Sequence, residues 1–363
     1  MTIAVLFDQL IQAGASDLHL SPGYPVMFRL RGKLVSASER TLTPEQIEAL
    51  LMPMLTDIQR TQFVTTGDLD FAHQHDRRAR FRANFMRKTT GMGAVFRAIP
   101  TKILTLDDLG VPPGVRKLAE LRNGLVLVTG PTGSGKSTTL AAMLDHINRT
   151  RSGHILTIED PVEFVHEPRS CMITHKEVGE HVPSFVEAIR SAGRENADVI
   201  LVGELRGAET MKAALQLASF GILIFATVHT NSASSTIDRF VNAFPAEQQP
   251  QIRGLLADSL AGIVAQQLLP RADKGGRIAA HEILMGNLAL SSLIRESKTQ
   301  QIPSLIQQGL SEGMQAMDSA LEKLVSAGIV SAQDALDKAL DKDAFARIPI
   351  VARQLAPEQR ADL

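Results

Sequence analysis

An apolar run, Leu125-Val-Leu-Val128, stands directly before Gly130-Pro-Thr-Gly-Ser-Gly-Lys-Ser137, and a helix-forming stretch from Thr138 to Ile147 follows. Strand, glycine-rich loop and helix in this order form a cradle. Consecutive backbone N–H groups and the helix N-terminus can wrap a phosphate only if no Cβ holds it away, which is why the loop is rich in glycine. Lys136 brings a point charge for β- and γ-oxygens, and the Ser137 hydroxyl is placed to ligate Mg²⁺. Gly130, Thr132, Gly133, Ser134, Gly135, Lys136, Ser137 and Thr138 are thus the expected contacts of a nucleoside triphosphate. This half of the chain is constrained to an α/β core.

With 363 residues the chain has the length of about two domains, each able to bury its own core. Its 38 basic and 39 acidic residues leave no electrostatic footprint for a polyanion, so nucleic acid is not a favoured partner. Absent Trp and a single tyrosine, Tyr24, also leave few platforms for stacking bases. The lone Cys171 excludes an internal disulfide and supports no zinc pattern, so it reads as a small buried residue in a reducing cytosol. Residues 1–13 read as an amphipathic helix containing Asp8, with neither a positive leader nor a long apolar stretch. The expectation is a chain neither secreted nor membrane-spanning.

Asp17 to Leu20 and Pro25 to Val35 have the pattern of strands, interrupted by Ser21-Pro22-Gly23. Thr43-Pro44-Glu45-Gln46 supplies an N-cap, an N1 proline and a capping-box residue, with Ile47, Leu50 and Leu51 following on one face. A second helix is expected to end near Gly67, and Leu69 to His73, Ala79 to Met86 and Gly93 to Ile99 are expected strands. These make a first, α+β domain over residues 1–100, closing near Pro100. Residues 101–120, with Pro112-Pro113 and mixed polarity, read as a connector. From Leu121 the pattern is strand then helix, with short apolar runs at Leu125–Val128, Ile155–Ile158, Val199–Val202 and Ile222–Val228. Buried parallel strands look like this. The second domain, 121–363, is expected to be a P-loop α/β core whose segments from Pro245 to about Asp341 are mostly helical.

Hydrolysis needs an acidic partner for Mg²⁺ and a group that orients water. Asp198-Val-Ile-Leu-Val-Gly-Glu204 puts Glu204 at the carboxyl end of a buried strand, where open α/β sheets place their ligands. Glu159, Asp160 and Glu163 follow another strand. Their spacing fits a site for a cation or water and fits a solvated acidic loop equally. Gly221 to His229 delivers Thr227, His229 and Thr230 to the same edge, where the imidazole has either a structural role or contact with a γ-phosphate. Arg80, Arg82, Arg87 and Arg97 read, by spacing alone, as a solvated basic edge.

Taken together, Gly130–Ser137, Ile158-Glu-Asp-Pro-Val-Glu-Phe-Val-His166, Val202-Gly-Glu-Leu-Arg206, Thr227-Val-His-Thr230 and Ala15-Ser-Asp-Leu-His-Leu20 resemble the secretion-superfamily hexameric ATPases. More narrowly, the chain is similar to the type IV pilus retraction ATPases from about residue 10 to 340. The resemblance implies a PAS-like N-terminal domain, a RecA-like ATPase domain and a homo-hexamer. It implies a cytoplasmic protein peripheral to the inner membrane at the pilus base, which contacts an inner-membrane platform protein and a paralogous retraction ATPase. Glu163 would polarise the attacking water, Glu204 would support Mg²⁺ and His229 would be the His-box residue. Arg82 and Arg97 best match the N-terminal arginines that reach the phosphates, with ATP and Mg²⁺ as the bound species.

The chain departs from the family pattern in places. It reads Gly193-Arg-Glu-Asn-Ala-Asp198 where relatives usually carry Leu-Arg-Glu-Asp-Pro-Asp, Arg206-Gly207 for Arg-Asp, and Phe220-Gly221-Ile222 for Thr-Gly-His. In the C-terminal retraction signature, Ser291 stands for an arginine while Arg295 and Glu296 remain. Extension and type II secretion ATPases usually carry a longer N-terminal region and a tetracysteine insertion, so retraction is the favoured reading. A nucleotide-binding accessory subunit and a DNA-dependent motor are the alternatives. The intact Lys136, Glu163 and Glu204 argue against the first, and near-neutral charge against the second.

Overall fold

The computed structural model describes residues 2–30, 32–76, 79–99 and 101–355. The chain forms two compact units, Met1–Lys102 together with Asp160–Val165, and Ile103–Glu159 together with His166–Leu363. The expected domain closure at Pro100 and the helix's first residue, Met1, lie outside the described residues.

The N-terminal unit begins with a helix, Ile3–Ala13, closed by Gly14 in the left-handed conformation that glycine adopts without strain. Six antiparallel strands follow among the described residues: β1 (Asp17–Leu20), β2 (Pro25–Leu30), β3 (Lys33–Thr41), β4 (Asp68–Asp76), β5 (Ala79–Lys88) and β6 (Gly91–Ile99), in the order β3-β2-β1-β6-β5-β4. The single run expected over Pro25–Val35 divides at a turn into β2 and the start of β3. Gly32 sits at positive φ, and the apolar residues on both sides of the turn hid the reversal. Thr43 and Thr56 each close a capping box on the helices Pro44–Leu51 and Asp57–Thr66. Alternation in β5 and β6 buries Phe81, Ala83, Phe85 and Phe96 on one face, where Phe7 of the first helix stacks on Phe81 at 4.2 Å.

The second unit holds a seven-stranded sheet: β7 (Gly124–Thr129), β8 (Gly153–Glu159), β9 (Cys171–Glu177), β10 (Val199–Val202), β11 (Leu223–Val228), β12 (Leu260–Pro270) and β13 (Arg277–Met285), in the order β13-β12-β7-β11-β10-β8-β9. All neighbours are parallel except the antiparallel pair β12–β13. This is the expected α/β class, with the smaller antiparallel unit before it. β7, β10 and β11 are buried along their whole length, so burial on both faces made them continuous apolar runs in the sequence.

Two expectations need correction here. The region after Pro245 holds the expected helices, from Gln249–Ser259 to Ala332–Lys338, but β12 and β13 add an unexpected long strand pair to the β7 edge. Leu260-Ala-Gly-Ile-Val-Ala has no strand alternation because β12 is buried on both faces, and a short apolar run of that kind does not distinguish strand from helix. Residues 101–120 are no loose connector either. They form the helices Leu106–Leu109 and Pro113–Ala119, and Leu106, Val115, Leu118 and Ala119 are buried in a core cluster with Val126, Val128 and Phe225. Gly114 allows this, because a Cβ there would strike the Gly313 carbonyl oxygen. No helix among the described residues is long and apolar enough to cross a membrane.

Leu118 is fully buried, so Leu118→Ala should cost about 2–5 kcal/mol of stability in urea unfolding, as for other core truncations. A change below about 0.5 kcal/mol would mean that the segment does not share the core.

Candidate nucleotide-binding site

Parallel pairing sends the carboxyl ends of β7, β8, β10 and β11 to one edge of the sheet. Val228 lies opposite Thr129, and Val202 lies between Ala226 and Ile158. The register therefore brings Gly130, Glu159, Glu204 and His229 out at the same end.

The loop after β7 has the strained geometry that its glycines permit. Gly130, Gly133 and Gly135 have φ of 145°, 78° and 88°. A Cβ on Gly130 would lie 2.6 Å from Ser134 Oγ and strike the Gln266 carbonyl oxygen. The loop opens into the helix Lys136–Thr150, for which Gly135 is the N-cap. Lys136 is only 8 % exposed, and its Nζ donates to the carbonyls of Gly130 (2.9 Å) and Pro131 (3.0 Å). Ser134 Oγ is buried and has no hydrogen-bond partner among the described residues. A buried orphan hydroxyl beside exposed Thr132 and Gly133, and half-buried Ser137 and Thr138, fits a site that takes phosphate oxygens. Among the described residues no cluster of three His, Cys, Asp or Glu is placed to hold a metal. Mg²⁺ ordinarily needs only one or two protein ligands, with phosphate oxygens and waters supplying the rest.

Glu204 follows β10 and is half-buried. Arg206 Nε lies 2.7 Å from its Oε1, and His229 Nε2 lies 3.3 Å from the same oxygen. Burial pushes this carboxyl up. The hydrogen bond and charge of Arg206, aided by His229, outweigh burial and hold it below the usual glutamate range. Thr227 anchors the turn before Glu204, because its Oγ1 donates to the Gly203 carbonyl and its own carbonyl accepts from Leu205 N at 3.0 Å. Gly207, one of the family departures, opens the next helix at φ 79°, where an aspartate would be strained.

The acidic segment divides between the two units. Glu159 ends β8 and is buried, and its carbonyl accepts from Val178 N at 2.9 Å. Pro161 has no N–H to extend the ladder, and Asp160–Val165, including half-buried Glu163, belongs to the N-terminal unit. There Arg80 Nε donates to the Val162 carbonyl at 3.1 Å, so Arg80 is not simply a solvated edge residue. Where the chain returns, His166 N donates to His175 Nε2 at 3.1 Å. Burial, then the nearby His175, push the His166 ring down to about 4, so it is neutral at physiological pH.

Arg82 and Arg97 are direct cross-strand partners on β5 and β6. Like charges at that position repel, and carboxylates on either side relieve it. Asp70 lies 3.5 Å from Arg82, and Asp17 lies 2.9 Å from Arg97 and 3.8 Å from Arg29. Burial acts to raise the Asp17 carboxyl, but hydrogen bonds from Ser16 and Arg97 hold it low. The two arginines are thus pre-oriented on one sheet face, Arg97 with its side chain largely exposed.

Several residues of the site were not picked out from the sequence. Gln266 of β12 donates through Nε2 to the Ser134 carbonyl (2.6 Å) and accepts from Thr139 Oγ1 (2.8 Å), tying both ends of the phosphate loop to the sheet. Thr129 and Thr236, also not picked out, form a hydroxyl chain through Thr230, which the sequence had placed at this edge. Thr129 Oγ1 lies 2.7 Å from Thr230 Oγ1, which lies 2.6 Å from Thr236 Oγ1. Glu282 of β13 accepts from Ala233 N at 2.7 Å, and burial raises its carboxyl. The available signal was a pair of glutamines, Gln266 and Gln267, inside an otherwise apolar run.

The family model described as type II/IV secretion system protein matches residues 2–337. A Pseudomonas aeruginosa protein named type IV pilus retractation ATPase PilT is 48% identical over 325 residues, covering 90% of this chain and 94% of its own length. A Neisseria gonorrhoeae twitching motility protein is 43% identical, covering 89% and 86%. The crystal structure of the pilus retraction motor PilT with bound ADP matches with a TM-score of 0.89 at 41% identity, covering 96% of this chain and all of that one.

Gln266→Ala should weaken nucleotide binding about tenfold by calorimetry, the equivalent of one lost hydrogen bond to buried groups, without unfolding the sheet. Arg206→Ala removes the main cause that lowers Glu204. The carboxylate is favoured above its folded-state pKa and lost as pH falls through it, so this variant should lose activity at a higher pH than the parent. An unshifted acid limb in the ATPase–pH profile would separate Glu204 from that limb.

Proposed function

The chain belongs to the type II/IV secretion system protein family, and from that premise we propose that it is a homo-hexameric motor that powers retraction of a type IV pilus by disassembling pilin. The family relationship makes it an ATPase. The observation that carries the reading is one sheet edge: a glycine cradle with buried Lys136 stands beside Glu204, whose charge Arg206 and His229 maintain.

In this reading the backbone of Gly130–Thr138 holds the α- and β-phosphates, and Lys136 turns from the loop carbonyls to the β- and γ-oxygens. Ser137, and Glu204 directly or through water, would hold Mg²⁺, which when bound neutralises charge on the phosphate oxygens. Glu163 polarises the attacking water, and His229 hydrogen-bonds the γ-phosphate. Arg82 and Arg97 stabilise the charge that develops in the transition state, contributed by the N-terminal unit of the same or an adjacent subunit. Hydrolysis then requires closure of one unit on another, and that requirement couples chemistry to movement. The motor would act from the cytoplasmic side of the inner membrane on a platform protein, alongside a paralogous retraction ATPase. The helix Leu288–Arg295 supports the retraction reading despite Ser291. Ser291 Oγ donates to the Ala257 carbonyl at 2.6 Å, and Arg295 pairs with Asp258, so the helix keeps its anchorage.

Steady-state phosphate release should fall at least a hundredfold in Lys136→Ala and in Glu204→Ala. Parent activity no higher than theirs would sink the motor reading. Mixing Arg82→Ala with Lys136→Ala subunits should restore part of the activity if sites are shared across subunits. Cells lacking the chain should accumulate pili that do not retract, whereas bald cells would indicate extension instead.

A further inference from the structure

The opposite, amino-terminal edge of the same sheet carries a second polar cavity, of about 220 Å³. It opens where β8, β10 and β11 begin, between Arg122, Arg151, Ser152, Asp198 and Gly221, over an apolar floor that includes Ile155 and Ile222. No step proposed for ATP hydrolysis uses any of these residues.

The charges around it are unbalanced. Arg122 follows the helix Pro113–Ala119 and makes no hydrogen bond or ion pair among the described residues. Arg151, half-buried, donates one bond from NH1 to the Leu121 carbonyl at 2.6 Å. A guanidinium carries five N–H donors, so most of the donor capacity of the pair is unspent. Burial, then the nearby charge of Arg122, lower the Arg151 guanidinium, which is the mark of two cations sharing one partly dry place. The Asp198 carboxylate does not cancel both. Its Oδ2 already accepts from His154 N at 2.7 Å. His154 has both ring nitrogens placed, Nδ1 3.2 Å from the Glu195 carbonyl and Nε2 2.9 Å from Thr174 Oγ1. Cys171 is a buried thiol, pushed up by that burial, and adds no negative charge at neutral pH.

We propose that this cavity binds a small organic anion, a phosphate or carboxylate group held between Arg122 and Arg151 with a short apolar body over Ile155 and Ile222. Paired guanidinium forks match planar or tetrahedral oxyanions, and the volume is below the roughly 300–1,000 Å³ of drug-sized sites. The bound anion would bridge the starts of three strands whose far ends carry Glu159, Glu204 and His229.

Full-length Lys136→Ala protein, whose phosphate cradle is disabled, is titrated by calorimetry with inorganic phosphate, glycerol 2-phosphate and butyrate. Saturable binding of at least one probe at one site per chain, weakened tenfold or more by Arg122→Gln and by Arg151→Gln, is the expected result. Preference for glycerol 2-phosphate or butyrate over phosphate supports an organic ligand, and preference for phosphate overturns the organic part of the proposal. Arg151→Gln also loses the Leu121 bond. Arg122→Gln removes an exposed side chain without a partner, so its melting temperature should not change and its result stands alone. No saturable binding of any probe, or binding unchanged in Arg122→Gln, overturns the proposal and leaves the ATPase reading untouched.

Discussion

The parallel register of the second unit is the constraint on which the rest depends. β7 is flanked by β11 and β12, β11 by β10, and β10 by β8, so the backbone hydrogen bonds that hold the sheet also fix which residues emerge together. A slip of one residue between β10 and β11 would turn every buried side chain of a strand to the other face. That cost is prohibitive in strands with no exposed side. Glu204, His229 and the phosphate loop therefore meet as a by-product of core packing, and no local preference of their own sequences is required.

The loop itself needs support from outside its motif. Three glycines at positive φ have no stable conformation in isolation, and glycine loses more conformational entropy on folding than any other residue. Gln266 offsets part of this by bonding to Ser134 and Thr139 from a strand more than a hundred residues away. The charge on Glu204 is likewise maintained by neighbours, since burial alone would raise its pKa. At the other end of the sheet Arg122 and Arg151 line one cavity with the single carboxylate of Asp198 opposing them.

In the N-terminal unit, the balance between like and unlike charges organises the polar face. Arg29, Asp17, Arg97 and Arg82 occupy one cross-strand row that ends at Ala72, and Asp70, two residues along β4, reaches Arg82 diagonally. The carboxylates of Asp17 and Asp70 let the two arginines stand opposite each other. Such a row is a set of fixed donors, which suits stabilisation of charge more than flexible surface arginines would.

The sequence alone determined the phosphate cradle, the four apolar strands that surround it, the capping box at Thr43 and the candidates Glu204 and His229. Each of these is written in local spacing: glycine positions, runs of four to seven apolar residues, a threonine three residues before a glutamine. It did not show the strand pair β12–β13, because a strand buried on both faces lacks alternation, nor the burial of Leu118, because the partners of the helix Pro113–Ala119 lie far along the chain. Only the tertiary structure decided that Gln266 braces the loop, that Arg206 sets the charge of Glu204, and that Asp160–Val165 belongs to the N-terminal unit. Those facts rest on contacts between residues distant in sequence, and contacts of that kind follow from packing, which no single segment encodes.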